Sequence, residues 1–407
     1  PDIWGDATMV MIPNAEAYKW RLIAMLCTYY RIWARRAGED VSRWMTTLGR
    51  DWIANGPSMS SEHAIYDIAL DAEAHINDAD DIEVTMMDDL EKGFEKVVHA
   101  NLRAKAAIYR FPDEKLPLAL SMYTGRRRIR CGKAGCPIAM GLLLLSIIDP
   151  VDTFWKTSPT TLVWLKIYVD AFALNFRFNQ RDHTTDQMVI SAANAYRTIE
   201  SAITKQNANF AKGKGKIVAS QPALADRIAS ELNHVILDGE GNPQGKQRSI
   251  DSELDITVLG VDYSAGRNIT HQKMRTRLKQ ASSKAARINT LANGGWRKLN
   301  IMRAHVVSAV TYSARVNGIP NDILEKLRTM VRSATSTRAQ GGSATMDMLL
   351  QKPKYVDPFY DANLLSIMEW VVRVNVAYYK LDQPAVERHK KAWYNAVAKL
   401  YMLTEGE

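Results

Sequence analysis

Cysteine is scarce in this chain. Cys27, Cys131 and Cys136 are the only three in 407 residues, too few for a disulfide framework and in keeping with a reducing compartment. Cys131 and Cys136 lack the second pair of ligands that a zinc site needs, so they read as buried or half-buried thiols. Long apolar runs are missing too. The longest, Met140 to Ile148, falls far short of the roughly 20 residues that cross a bilayer, so a buried helix is expected there and no membrane partner. No internal repeat is visible. The chain begins at Pro1 with no initiator methionine and no signal-peptide pattern, as a fragment or a processed product would. The most informative absence is of acid: between Tyr263 and Pro320 there are eleven Lys and Arg and no Asp or Glu.

What is present points to a globular chain with a full core: 46% of residues are hydrophobic, enough for two or three lobes. The net charge of +9 is mild but segregated. Residues 1–260 carry 30 basic against 33 acidic residues, and residues 261–407 carry 23 against 11. An excess confined to the last third suggests a polyanion docking on one part of the molecule.

Periodicity gives a mixed α/β portion followed by helices. An acid-rich amphipathic helix is expected over 62–75, a short strand entering Asp88-Asp89, and a helix from Phe94 to Ile108. Strands are expected over 126–130, 162–169 and 256–261, the second from its β-branched and aromatic residues, with a helix over 186–204. From Thr270, a plausible N-cap, a helix should run to Asn293-Gly294-Gly295. Others follow over 299–317 and 322–334, and two more are split near Pro384. In the helix after Thr270, Met274, Leu278, Ala281, Ala285 and Ile288 form one apolar stripe. Lys273, Arg277, Lys284 and Arg287 step alongside as a basic ridge about 20 Å long. A solvated face normally intersperses acids, so phosphate contact is the better reading. Arg267, Arg297 and Lys298 extend the basic set. Lys212, Lys214 and Lys216 alternate with glycine, which reads either as a mobile solvated loop or as a second anion-binding segment.

Several segments then resemble one family. Met11-Ile12-Pro13-Asn14, Arg21-Leu22-Ile23 and Tyr29-Tyr30-Arg31 are similar to the fingers of non-LTR retrotransposon reverse transcriptases. Asp89-Leu90-Glu91-Lys92-Gly93-Phe94-Glu95 resembles their first palm motif. Gly135-Cys136-Pro137 stands where a Gly-Gln-Gly motif is usual. Tyr168-Val169-Asp170-Ala171 resembles the Tyr-x-Asp-Asp hairpin, and Leu259-Gly260-Val261-Asp262 the strand before the thumb. The order and spacing match across roughly residues 9–335. The resemblance implies a fingers-like segment over 1–80, a palm-like domain over 81–262, a basic helical thumb over 263–345 and a helical extension over 346–407.

It also implies a nucleotidyl-transfer site in which two Mg²⁺ ions are held by Asp89 and two hairpin aspartates. Here only Asp89 and Asp170 stand; Ala171 replaces the third carboxylate. Asn14 takes the place of a phosphate-facing lysine, and Leu22 follows a retained Arg21. Departures centred on one site imply lost chemistry, hence no cofactor, with Mg²⁺ only if the site is active. The reading is then a domesticated RNA-binding protein, fixed in a large ribonucleoprotein among neighbouring proteins. The expected particle is an organellar (mitochondrial) ribosome, with rRNA as partner. Two competitors are an active RNA-directed DNA polymerase, with Asp88 or Glu95 substituting, and a scaffold docking through Trp370, Tyr378, Tyr379, Trp393 and Tyr394. Aromatics at helical spacing are more often core, which ranks the scaffold last.

Overall fold

The computed structural model describes residues 8–13, 20–25, 28–56, 60–78, 80–124, 136, 138–234, 249–266, 269–291, 295–334, 348 and 357–404. In chain order its elements are β1 (Thr8–Pro13), β2 (Trp20–Met25), α1 (Thr28–Thr47), α2 (Ser61–His75), β3 (Asp81–Asp89), α3 (His99–Ile108), α4 (Leu116–Thr124) and α5 (Ala139–Thr157). Then come β4 (Leu162–Tyr168), β5 (Ala171–Asn179), α6 (Thr185–Thr204), β6 (Gly215–Ala219), α7 (Pro222–Asn233), β7 (Ile250–Ser252), β8 (Ile256–Val258) and β9 (Val261–Tyr263). The remainder is helical: α8 (Gln272–Asn289), α9 (Gly295–Met302), α10 (Ser308–Val310), α11 (Ala314–Asn317), α12 (Asn321–Arg332), α13 (Pro358–Tyr379) and α14 (Gln383–Thr404).

Contacts divide the chain into two units. The first holds residues 1–60, 82–217 and 221–253; the second holds 61–81, 218–220 and 254–407. A mixed α/β unit and a largely helical one are therefore present, as the periodicity implies. Several boundaries differ from the sequence reading: residues 1–60 join 82–217 in one unit, and residues 254–262 fall with the helices. Residues 61–81 group with the C-terminal helices, because α2 packs on α14: Asn395 donates to the Glu73 and Ala74 carbonyls at 2.9 and 3.2 Å, and Lys391 pairs with Asp78 at 2.5 Å.

The first unit is built on a five-stranded sheet in the order β4-β5-β3-β6-β7, with β4 and β5 antiparallel and β6 and β7 parallel. β3 sits at its centre and is buried along all but its end residues. β4 and β5 are rich in Phe, Ile, Leu and Trp, the residues that pack well on a pleated surface. α6 starts at a capping box, Thr184 and Gln187 each bonding the other's backbone N–H. The apolar run after Met140 lies in the buried helix α5. α3 begins at His99 rather than Phe94, because residues 91–95 form a turn with Lys92 at φ +53° and Glu95 N–H donating to the Lys92 carbonyl at 2.9 Å. The strand expected over 126–130 lies outside the described residues.

In the second unit the stripe Met274, Leu278, Ala281, Ala285 and Ile288 is buried as its spacing requires, against Leu299, Met302, Val306, Val310, Ile323 and Leu327 among others. The strand expected over 256–261 is instead the hairpin β8–β9. Leu259 and Gly260 turn it with φ of +47° and +87°, the double positive φ of a type I′ turn. Thr270 does not cap α8, since its hydroxyl bonds Asp255. The cap is the buried Asp262 carboxylate, accepting from the Lys273 and Met274 N–H at 3.0 and 3.2 Å, while its carbonyl accepts from Asn317 at 2.5 Å. From Gly295 to Asn317 the helical run holds, with a π turn at Arg303–Val307 and a 3₁₀ turn at Thr311–Ser313. Among the described residues no helix is long and apolar enough to cross a membrane.

Candidate nucleic-acid interface and carboxylate pair

In a β-strand alternate side chains share a face, so Glu83, Thr85 and Asp89 of β3 lie together and Asp88 lies opposite. Asn175 of β5 donates to Glu83 and Thr85 at 2.6 and 2.9 Å, which places Ala173 and Ala171, two and four residues before it, on the Asp89 face. The methyl of Ala171 thus stands on the face where a third carboxylate would act.

The β4–β5 hairpin brings Asp170 to the end of β3. Leu90 N–H donates to the Asp170 carbonyl at 2.8 Å, and Tyr168 pairs with Ala171 across a two-residue turn. Val169 leads that turn at φ +60°, a strained conformation for a β-branched residue. Asp170 is held above the usual carboxylate range, first by burial and then by the negative charge of Asp89, with the Lys214 ammonium pulling the other way. Residues 81 positions apart in sequence thus form one carboxylate pair.

Asp88 is not a replacement ligand. It is buried on the opposite face, where it accepts from the Tyr196 hydroxyl and from the Asp89 N–H at 2.8 Å. Glu95 is exposed in the turn after β3. Among the described residues no group of three or more His, Cys, Asp and Glu is arranged to hold a metal ion. Mg²⁺ wants a near-octahedral set of oxygens, and a two-ion site shares several carboxylates between its ions. Two carboxylates with an ammonium bound to one of them do not fit that requirement.

That ammonium belongs to Lys214, which pairs with Asp89. The Lys-Gly run leads into β6, between β3 and β7, with two of its ammonium groups set on carboxylates. Lys216 is clamped by Asp251 at 3.0 Å and by Glu253, and these two bonds hold its ammonium above the usual lysine range. Both lysines, read in the sequence as phosphate contacts, pair with carboxylates of the protein. Lys212 is exposed.

Of the basic residues singled out in the sequence on α8 and α9, some face solvent and some do not. Lys273, Lys284 and Arg287 are exposed on α8, and Arg297 is exposed on α9. Arg277 leaves the ridge: its guanidinium stacks 4.6 Å over the Tyr312 ring and passes so close to Gly260 that a Cβ there would lie 2.6 Å from Nη2. Lys298 turns inward to the C-terminus of α8, donating to the Asn289 carbonyl at 3.0 Å, where a cation offsets the helix dipole. Arg21 stands in β2 opposite Ile12. Arg267 lies outside the described residues, as do Asn14, Cys27, Cys131, Gly135 and Pro137. Cys136 is a buried thiol 3.3 Å from the Tyr30 hydroxyl.

Of the five C-terminal aromatics, Trp370 is half-buried and the other four are not core. Tyr378, Tyr379, Trp393 and Tyr394 are exposed, with Trp393 also 5.2 Å from Trp370, and α13 exposes Leu364, Ile367 and Val372 as well. Sequence spacing missed this because both faces of α13 are apolar, so no stripe distinguishes inside from outside.

No protein-family model matches the chain, and no curated protein matches it. Solved structures similar to it include telomerase from Candida tropicalis in complex with a TWJ fragment of telomeric RNA, at 10% identity and a TM-score of 0.45, covering 95% of this chain and 64% of that one. The corresponding Candida albicans complex has 10% identity and a TM-score of 0.44, covering 97% and 64%. Apo telomerase from Candida tropicalis truncated from its C-terminal domain has 10% identity and a TM-score of 0.41, covering 66% and 55%. The chain thus spans less than two thirds of the length of these three.

Proposed function

We propose that this chain is an RNA-binding protein on a reverse-transcriptase-like framework that no longer transfers nucleotides, and that it is a fixed component of a large ribonucleoprotein. The particle proposed is an organellar (mitochondrial) ribosome. The observation that carries RNA binding is the face of α8. Its apolar stripe is packed, and Lys273, Lys284 and Arg287 project to solvent from a stretch that holds no acid. Helical rise sets Lys273 and Lys284 about 16 Å apart and Arg287 one turn further, so three cations stand at fixed spacing along one rigid rod. Each phosphate they neutralise releases condensed counterions, which yields affinity without reading base sequence. The incomplete carboxylate set supports loss of chemistry. The exposed apolar face of α13 supports neighbouring proteins in the particle, since a contiguous patch of this kind marks an interaction surface.

Reversing Lys273, Lys284 and Arg287 to Glu together should flatten the salt dependence of RNA affinity. The loss is about 0.7–0.9 in slope per lost phosphate contact, roughly 2–3 in all. Equal slopes for the wild type and the triple variant, measured by fluorescence anisotropy across a salt titration, would remove α8 from the interface. In a gradient at high salt the protein should sediment with large particles and be released by ribonuclease. A free 45.8 kDa monomer at the top of the gradient would overturn the ribonucleoprotein assignment.

A further inference from the structure

We propose that Lys214 is a built-in substitute for the divalent cation: its ammonium occupies Asp89 and keeps the palm carboxylates closed to metal. The inference rests on the reading of a site without nucleotidyl transfer and deepens it by naming what now neutralises the pair.

The placement of Lys214 follows from the backbone around it. The segment before it is stitched to the end of β3: Ala211 N–H donates to the Asp89 carbonyl at 2.7 Å, and Glu91 N–H donates to the Asn209 carbonyl at 2.7 Å. Leu90 and Phe210 form a bridge between these two hydrogen bonds. The chain then turns at Gly213, whose φ of +69° suits glycine. Gly215 follows directly beneath the buried Asp88 carboxylate; a Cβ there would stand 3.0 Å from Asp88 Oδ2 and 3.0 Å from Ile250 Cγ1. One glycine gives the turn and the other the clearance. Between them a single side chain is delivered to Asp89. On the next lysine, two further acids hold Lys216 to β7 and the residue after it. The alternation of lysine and glycine is thus a device for setting one ammonium on one carboxylate.

Its chemical effect follows from charge and coordination. Asp89 and Asp170 are a like-charged pair, and such a pair needs a cation to stay ionised at close range. A divalent ion would serve only by binding both carboxylates together with enough further oxygens to complete its shell. Ala171 withholds one of these, and Lys214 occupies an oxygen of another. The ammonium needs no coordination geometry and is covalently tethered, so it is always at hand. Lys214 is itself well exposed, which limits its own contribution. Removing it should tighten metal binding at least fivefold, about 1 kcal/mol, rather than by orders of magnitude.

The test is Mn²⁺ binding to the full chain without RNA, counted by the electron paramagnetic resonance signal of free Mn²⁺. Wild type, Lys214→Met, Lys214→Gln, Lys214→Arg and Lys214→Met/Asp170→Asn would be compared, with circular dichroism to confirm folding. Lys214→Met and Lys214→Gln should each bind Mn²⁺ at least fivefold tighter than wild type. Lys214→Arg should match wild type, and Asp170→Asn should abolish the gain. Equal affinity of wild type and both neutral variants would overturn the proposal, as would a gain that survives Asp170→Asn. Primer extension by the wild type in Mg²⁺ would instead overturn the underlying reading. Equal Mn²⁺ affinity without extension defeats the substitute cation alone.

Discussion

Replacing Glu369 by Gln tests how the helical unit is held together. Glu369 lies on α13 with only 3% of its side chain exposed, and two guanidinium groups and an imidazole converge on it. Arg373, one turn later, donates from Nε at 3.0 Å, Arg315 after the 3₁₀ turn donates from Nη1 at 3.1 Å, and His63 of α2 approaches at 3.2 Å. One carboxylate thus ties α13 to α11 and α2. Glutamine keeps the shape but removes the charge and turns an amide N–H₂ toward donors. Breaking a buried pair from one side costs about 3–5 kcal/mol. Arg315 keeps about a third of its side chain in solvent and can rehydrate, so a smaller loss than that range, about 2–3 kcal/mol, is expected here. For a unit of this size that lowers Tm by roughly 5–10 °C.

The pH dependence has a definite sign. Burial works against the Glu369 charge, but Arg373, His63 and Arg315 overcome it, so the folded carboxyl lies below its ordinary value. A depressed carboxyl contributes fully above its unfolded pKa, and that contribution is lost as pH falls through the folded value. The Tm gap between wild type and Glu369→Gln should therefore be full at pH 7 and shrink below about pH 4.5. Thermal melts followed at 222 nm at both pH values provide the check. A gap under about 2 °C at pH 7, or one that widens in acid, would refute the reasoning.

Three further outcomes are expected. On an annealed template–primer with Mg²⁺ or Mn²⁺ the wild type should not extend; robust wild-type extension abolished by Asp170→Ala would sink the account of lost chemistry. Val169→Asn should stabilise the first unit by about 1 kcal/mol, because asparagine tolerates the left-handed conformation that costs valine about 1–2 kcal/mol; a clear loss in urea titration would contradict it. Asp262→Ala should destabilise the helical unit by about 1–2 kcal/mol, since it strips the acceptor from two N-terminal amides of α8; an unchanged urea midpoint would show the cap to be dispensable.

How far the molecule is legible in its sequence depends on the range of the contact concerned. The stripe of α8 and the strands leading into Asp89 and Asp170 were legible, because period and β-branching are local signals that tertiary packing reinforced, whereas β5, after Asp170, was not assigned. The partner of Lys214 was not, since Asp89 lies 125 residues away and lysine–glycine alternation alone looks like a solvated loop. The inward turn of Arg277 depends on the bare edge at Gly260 and on Tyr312, neither of which its own helix reveals. Thr270 had the right chemistry for a cap and lost to Asp262, a residue outside any helical window. Ala171 was the most telling single letter, and its meaning came only from the resemblance.

The contacts at its two ends make α8 a beam pinned at both supports. At one end the Asp262 carboxylate seats the first amides of the helix, and its own carbonyl receives Asn317 from α11. At the other, Asn289 donates to the Ser333 hydroxyl at 2.7 Å and its carbonyl accepts from Lys298 at 3.0 Å. Between them the stripe from Met274 to Ile288 is packed throughout. Lys273 and Arg287, about 21 Å apart along the axis, are therefore held at a spacing that the supports set and that neither end can relax alone.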